Sequence, residues 1–425
     1  MSDPGARGRL PVLFVTAFVD MVGLTMILPL LPFYAKELGA SATVVGLLIA
    51  AFSLAQLVVA PVWGRFSDRY GRRPAILAGL LVTAVAYVLF AFAGSLALLL
   101  LSRIIQGVGG GTIGVVQAYV ADASPLDRRT KSLGWLSAVT SLGAVAGPAF
   151  GSLMIAVGGR SAPGLAAAAL AALVAVFAQR FLRESRLLTT TGSRTAAPAT
   201  TGRAAIGRIA THWREPASRL VWIYAVAIGA FYGTAQTAPL LLAQRFAITE
   251  HNIGYFIMYL GGLGVVIRSF LLGPIVDRLG EARLSRLGIC CLAAGLAATG
   301  LARNYPVLGL GFTLMPLGTA FLFPCVTGLL SRVVSAAERG LYMGVQHTFG
   351  GVSRVAFPVA AGLAMDRFGV GVPFWMAGLL VLLTLPLTRG MADFLIAESQ
   401  LAPAELAIAS ADVTGEMPVA PPRPS

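Results

Sequence analysis

Gly64-Arg-Phe-Ser-Asp68-Arg69-Tyr-Gly71 returns as Gly273-Pro-Ile-Val-Asp277-Arg278-Leu-Gly280, displaced by 209 positions. Each copy follows an apolar run long enough to cross a bilayer. A second landmark, Asp127-Arg128, returns as Glu338-Arg339 displaced by 211 positions. Two nearly equal displacements over separate elements indicate that the chain is a duplicated unit. In membrane proteins such duplication places a site near midplane, between the halves.

Outward from that repeat, the composition fits a lipid solvent. Of 425 residues, 57% are hydrophobic and 12% are charged. A soluble domain with this balance would expose large apolar patches. Backbone groups in lipid must be bonded internally, so the apolar runs are read as helices. Twelve spans are expected near 11–35, 43–63, 74–95, 97–121, 132–157 and 163–182, then 219–242, 252–273, 286–304, 305–330, 341–365 and 371–390. The expected fold is an all-α polytopic membrane protein of two pseudo-symmetric six-helix bundles. Its divisions are 1–182, a linker 183–218 without a sustained apolar run, 219–390, and a tail 391–425 of largely disordered composition.

Charge sets the orientation. With the N-terminus inside, and residues within three positions of a span end counted with the adjoining loop, inner segments hold 24 of the 32 lysines and arginines, outer loops hold five and spans hold three. This bias puts both termini and the linker in the cytoplasm; the expected location is a bacterial inner membrane. It also accounts for the net charge of +14 without nucleic acid, for which no basic stripe remains. Cys290, Cys291 and Cys325 lie in apolar segments, and His212, His251 and His347 are far apart. Neither set forms a metal motif, so no metal, no cofactor and no enzymatic site are expected. Gly109-x-Gly111-x-x-Gly114 matches a dinucleotide-binding pattern, but lies mid-span without a preceding strand.

Three positions inside spans carry the chemistry. Asp20 is the only one of the 18 acidic residues well inside a span, about ten residues or roughly 15 Å from its inner end. Burial works against its charge, while a neighbouring arginine would favour it. It could carry a proton, bind a cationic substrate, or form a structural ion pair with Arg103 or Arg354. Span 4 presents Arg103, Gln106, Gly110, Gly114 and Gln117 on one face, a stripe that lipid would penalise. Arg354 shares a face of span 11 with His347 and must meet water, a carboxylate or an anionic ligand. Tyr119, Phe231, Tyr232 and Gln236 are further possible cavity residues.

At these residues the chain resembles the major facilitator superfamily, over nearly everything from Leu10 to Arg389. Gly64-x-x-x-Asp68-Arg69-x-Gly71-Arg72-Arg73 is similar to that family's signature loop between spans 2 and 3. The second copy keeps Gly273, Asp277, Arg278 and Gly280 but has Glu281 and Ala282 in place of two arginines. The resemblance implies that Asp68 engages the start of span 11 when the inner side is closed, and that Arg72 reaches Asp122. Gly64 and Gly71 are expected to allow a tight loop. Arg103-x-x-Gln106-Gly107-x-Gly109 resembles the span 4 motif associated with proton coupling. Gly143-x-x-x-Gly147-Pro148-x-x-Gly151-Ser152 resembles the antiporter signature of span 5, with Ser152 departing from a glycine. Pro148 and the glycines are expected to let span 5 pack against a neighbour, with span 8 the first choice. Asp20-x-x-Gly23, with Pro29, Pro32 and Tyr34, resembles the first span of drug:proton antiporters.

The resemblance therefore implies a proton-coupled efflux antiporter of the drug or antibiotic class, working by alternating access as a monomer. Its partners would be a small amphipathic or lipophilic substrate, protons and the lipid bilayer. A proton-coupled importer on the same fold and a non-transporting receptor remain alternatives at this level.

Overall fold

A computed structural model describes residues 6–124, 128–182, 202–335 and 338–391. Among these residues, eleven helices are long and apolar enough to cross a membrane. Span 1 is Leu10–Glu37, span 2 Ala42–Tyr70, span 3 Arg72–Ala91, span 4 Leu96–Asp122, span 5 Lys131–Gly158 and span 6 Ala162–Phe181. Span 7 is Pro216–Phe246, span 8 Ile253–Leu279, span 9 Glu281–Leu301, span 10 Tyr305–Val333 and span 11 Arg339–Phe368. The twelfth segment, Val372–Thr388, is a shorter apolar helix. Its α-helical part ends at Leu382 and a 3-10 turn follows over Leu385–Thr388, where Pro386 lacks the N–H a continuous helix would use.

Several local features depart from expectation. The first signature is not a loop: span 2 stays helical to Tyr70, and only Gly71, with φ of +106°, makes the turn. Gly64 is an ordinary helical residue with open space beside it, so its role as a loop glycine is withdrawn. The linker carries a helix, Gly202–Thr211, whose Ala205 and Ile209 are buried while Arg208 pairs with Glu215 at 2.8 Å. That pair stabilises the charged guanidinium of Arg208 and raises its pKa further. Residues 183–201 and 392–425 lie outside the described residues. Span 4 breaks after Gly110 and resumes at Ile113, beside three consecutive glycines with low helix propensity. Span 8 contains a π turn over Ile267–Leu271, where Arg268 is exposed.

The two bundles meet mainly away from the arginine-rich turns, at what is called here the far face. Spans 2 and 11 touch through their backbones: a Cβ at Gly46 would strike the Pro358 carbonyl, and one at Gly362 the Ala42 carbonyl. Asp366, at the end of span 11, accepts from Ala42 N at 2.9 Å, Thr43 N at 2.7 Å and Thr43 Oγ1 at 2.6 Å. The largest buried core contains Leu30, Tyr34, Ala42 and Val45 of one half together with Leu241, Leu242 and Met365 of the other. Toward the basic face, the first half has a separate core around Leu13, Leu80 and Tyr119. The halves thus share a core at the far face and part toward the basic face, which leaves space between them.

Candidate functional site

That space is a chamber with walls from both halves. One lobe, of about 610 Å³, is lined by Asp20 of span 1, Gln117 and Ala121 of span 4, and Leu133, Ser137 and Thr140 of span 5. A second lobe of about 610 Å³ is lined by Ser53, Gln56 and Pro61 of span 2 and by His347, Thr348 and Arg354 of span 11. The lobes share Ile113, Gly114 and Gln117, where span 4 breaks. Ala121 and Leu133 stand at the basic ends of their spans, so the chamber reaches from midplane to the basic face.

Asp20 and Arg354 both face this chamber. Among the described residues neither has a hydrogen-bond or ion-pair partner, so the structural ion pairs considered for Asp20 are absent in this state. An ionised group left unpaired at membrane depth is costly unless water or a ligand reaches it. Arg103 is placed differently. It is fully buried, its Nη1 donates to Gln106 Oε1, and its guanidinium stacks 4.7 Å over Phe52. Among the described residues its Nε and Nη2 find no acceptor, nor does Gln106 Nε2. Arg103 and Gln106 therefore lie behind the chamber wall. Tyr87, a buried tyrosine, lies within electrostatic reach of Asp20, Gln106 and Arg103. Sequence reasoning passed over Tyr87, although it is the one aromatic hydroxyl of span 3.

The remaining cavity residues divide. Gln117 and His347 line the chamber, and His347 meets the Tyr224 ring edge-on at 6.3 Å. Tyr119 is fully buried in the core of the first half, which removes it from the cavity set. Phe231 and Tyr232 pack half-buried against the large core, and Gln236 is half-buried on the same span.

At the basic face, Arg72 joins two acids. Its Nη1 donates to Asp68 Oδ1 at 2.8 Å and its Nε to Asp122 Oδ2 at 3.2 Å. Arg73 donates to the Gln179 carbonyl, and Arg69 lies 5.3 Å over the Tyr70 ring. The Asp68 side chain is 60% exposed. In the second half Asp277 and Arg278 are exposed, and Glu281, which replaces Arg72, pairs with Arg332 at 3.1 Å. Arg332 ends span 10 as Asp122 ends span 4. The second half thus keeps the pair and reverses its polarity.

Span 5 packs on two neighbours. Its glycines face span 1: a Cβ at Gly143 would stand 2.6 Å from the Phe18 carbonyl, and Cβ atoms at Gly147 and Gly151 would collide with Thr25 Oγ1 and the Met26 carbonyl. The expected packing of span 5 on span 8 is present, but it does not run through these glycines. Span 8 meets the other side of the motif, where Gly254 sits against the Pro148 carbonyl. Ser152 Oγ donates to the Glu250 carbonyl at 2.8 Å and accepts from Gly254 N at 3.0 Å. Ser152, the position that departs from the motif, ties the two halves there. Gly254 escaped notice because a single glycine at a span's start has no pattern to mark it.

A chamber at midplane between two six-helix bundles, open to one face and closed at the other, defines a membrane transporter. The family model described as Major Facilitator Superfamily matches residues 13–302 and 220–392, and the chain belongs to that family. It is 29% identical to "Multidrug resistance protein 2" of Bacillus subtilis (strain 168), over 89% of this chain and 93% of that one. It is 26% identical to "Tetracycline resistance protein, class B" of Escherichia coli, over 86% and 89%. Among solved structures, a human organic anion transporter matches with a TM-score of 0.65 and 26% identity, covering 91% of this chain and all of that one. An inward-facing, unoccupied bacterial homologue of the lysosomal transporter Spinster shares the fold, with a TM-score of 0.72 at 15% identity.

Proposed function

We propose that the chain is a proton-driven exporter of a small amphipathic or lipophilic compound of the drug or antibiotic class. The observation that carries this reading is Asp20, a carboxylate on the chamber wall that has no partner among the described residues. Such a group can hold a proton on one leg of the cycle and face substrate on the other. The similarity to multidrug and tetracycline resistance proteins supports the substrate class. The span 5 motif favours exchange over co-transport. One proton moving down about 150 mV supplies about 3.5 kcal/mol, enough for a several-hundredfold gradient of a neutral solute.

In this reading the basic face is cytoplasmic, the structure is open to the cytoplasm, and the protein works as a monomer in a bacterial inner membrane. Residues 1–182 and 219–390 are the moving units and 183–218 their cytoplasmic linker. In a cysteine-free background, a cysteine at Ala162 should label with an impermeant reagent from outside intact cells, and one at Thr191 should not. The reverse pattern would invert the orientation. The main test is flux in liposomes: a pH gradient should drive uptake of a fluorescent cationic or neutral drug into inverted vesicles, and the drug gradient should move protons. Drug movement without proton movement would leave a uniporter.

A second reading concerns charge. Arg354 faces the same chamber without a carboxylate partner among the described residues, and the human structural relative is an organic anion transporter. That favours a substrate with an acidic group, carried alone or beside a cationic one.

A further inference from the structure

The pattern Gly-x-x-x-Asp-Arg-x-Gly occurs a third time. Gly362-Leu-Ala-Met-Asp366-Arg367-Phe-Gly369 closes span 11, 89 positions after the second copy. Like the others it ends on a left-handed glycine, with φ of +100° at Gly369 against +106° at Gly71 and +75° at Gly280. Span 11 runs opposite to spans 2 and 8, so this copy lies at the far face. That is the placement expected of an inverted three-helix repeat nested in each half.

The acid of this copy is engaged across the halves. Ser41 is the N-cap of span 2, and the next two backbone N–H groups, of Ala42 and Thr43, point at separate oxygens of Asp366. Thr43 Oγ1 adds a third bond at 2.6 Å. The first N–H groups of a helix have no partner within it, and its N-terminus favours negative charge. A carboxylate satisfies both needs. Here it comes from the other bundle.

We propose that Asp366 is a gating residue of the transport cycle, an outer latch that holds the far side shut while the cytoplasmic side is open. Spans 2 and 11 are antiparallel neighbours, each ending in the same signature. Asp366 at the end of span 11 caps the start of span 2. Asp68 at the end of span 2 stands at the face where span 11 begins. The two contacts lie at opposite ends of one helix pair, so rocking the bundles to open either end closes the other. In this structure the outer one is made, and the Asp68 side chain is 60% exposed. The inference goes beyond the exporter reading and does not depend on substrate or on proton coupling.

The test is a distance measurement without substrate. Spin labels at Gly94→Cys of the first half and Arg303→Cys of the second, both at the far face, are introduced after replacing Cys290, Cys291 and Cys325. The wild type should populate mainly the short distance. Asp366→Asn keeps the shape but offers one acceptor oxygen where two are used, and should raise the ratio of long to short distances about tenfold. Asp366→Glu, which keeps the charge, should restore part of the short population. Thr43→Val removes only the hydroxyl donor and should shift the ratio about twofold, which decides the matter if Asp366→Asn does not accumulate. An unchanged distribution in these variants, or a lower melting temperature with the distribution unchanged, would make Asp366 a static helix cap and overturn the proposal.

Discussion

The two halves build the same contact with opposite charges. In the first, Arg72 at the start of span 3 holds Asp122 at the end of span 4 and also holds Asp68. In the second, Glu281 at the start of span 9 holds Arg332 at the end of span 10. An arginine with a forked set of donors can serve two acids at once; a glutamate can serve none. Asp277 therefore has no counterpart of Arg72 to orient it, and it is exposed. The duplicated fold survived reversal of the pair, whereas the oriented acid exists only in the first half. The chamber lining shows the same division, with a carboxylate contributed by the first bundle and a guanidinium by the second.

The sharpest way to break that division is Asp20→Asn, which keeps shape and removes titration. Uphill export should fall to background, while binding of a neutral substrate stays within about threefold. Coupled flux at the wild-type level, in protein shown to be folded, would take Asp20 out of the mechanism. Arg354→Gln probes the opposite wall. Apparent KM for an acidic substrate should rise tenfold or more, with about 2 kcal/mol as the scale for losing a charged hydrogen bond, and KM for a cationic one should hardly move. Equal loss for both substrates would mean that Arg354 serves the wall rather than the ligand.

The signatures can be compared directly. Asp68→Asn should slow steady-state export severalfold with binding intact, and Asp277→Asn should leave it within about twofold. Equal effects would show that the lost arginine does not matter. The smallest expected effect is that of Glu281→Gln. Arg332 is 52% exposed and Glu281 15%, so water screens the pair from one side and it contributes on the order of 1 kcal/mol. Thermal unfolding in detergent should shift by only a few degrees.

The bundles were legible because apolar length, loop charge and the repeat point the same way, and each depends on backbone properties common to any membrane helix. Asp20 was legible because a lone acid inside a span has few reasons to be there. Tyr119 was misread because a tyrosine's hydroxyl says nothing about which way its helix face turns. Ser152 and Gly254 were missed because their meaning lies in each other, across a seam between segments 98 to 102 residues apart. The third signature is hard to see because span 11 runs opposite to spans 2 and 8, so it has no counterpart among segments of equal topology.

The seams between the bundles are written in main-chain atoms. Gly46 faces the Pro358 carbonyl, Gly362 that of Ala42 and Gly254 that of Pro148. At these three glycines a side chain of any size would strike a carbonyl of the other half. The chamber walls at Gln117, Thr140, Thr348 and Met21 are side chains throughout, with room beside them. Heritable change is thereby steered: under selection by a new compound, substitutions should accumulate on the walls while the glycines stay fixed, so that the range of cargo evolves without disturbing the motion that carries it.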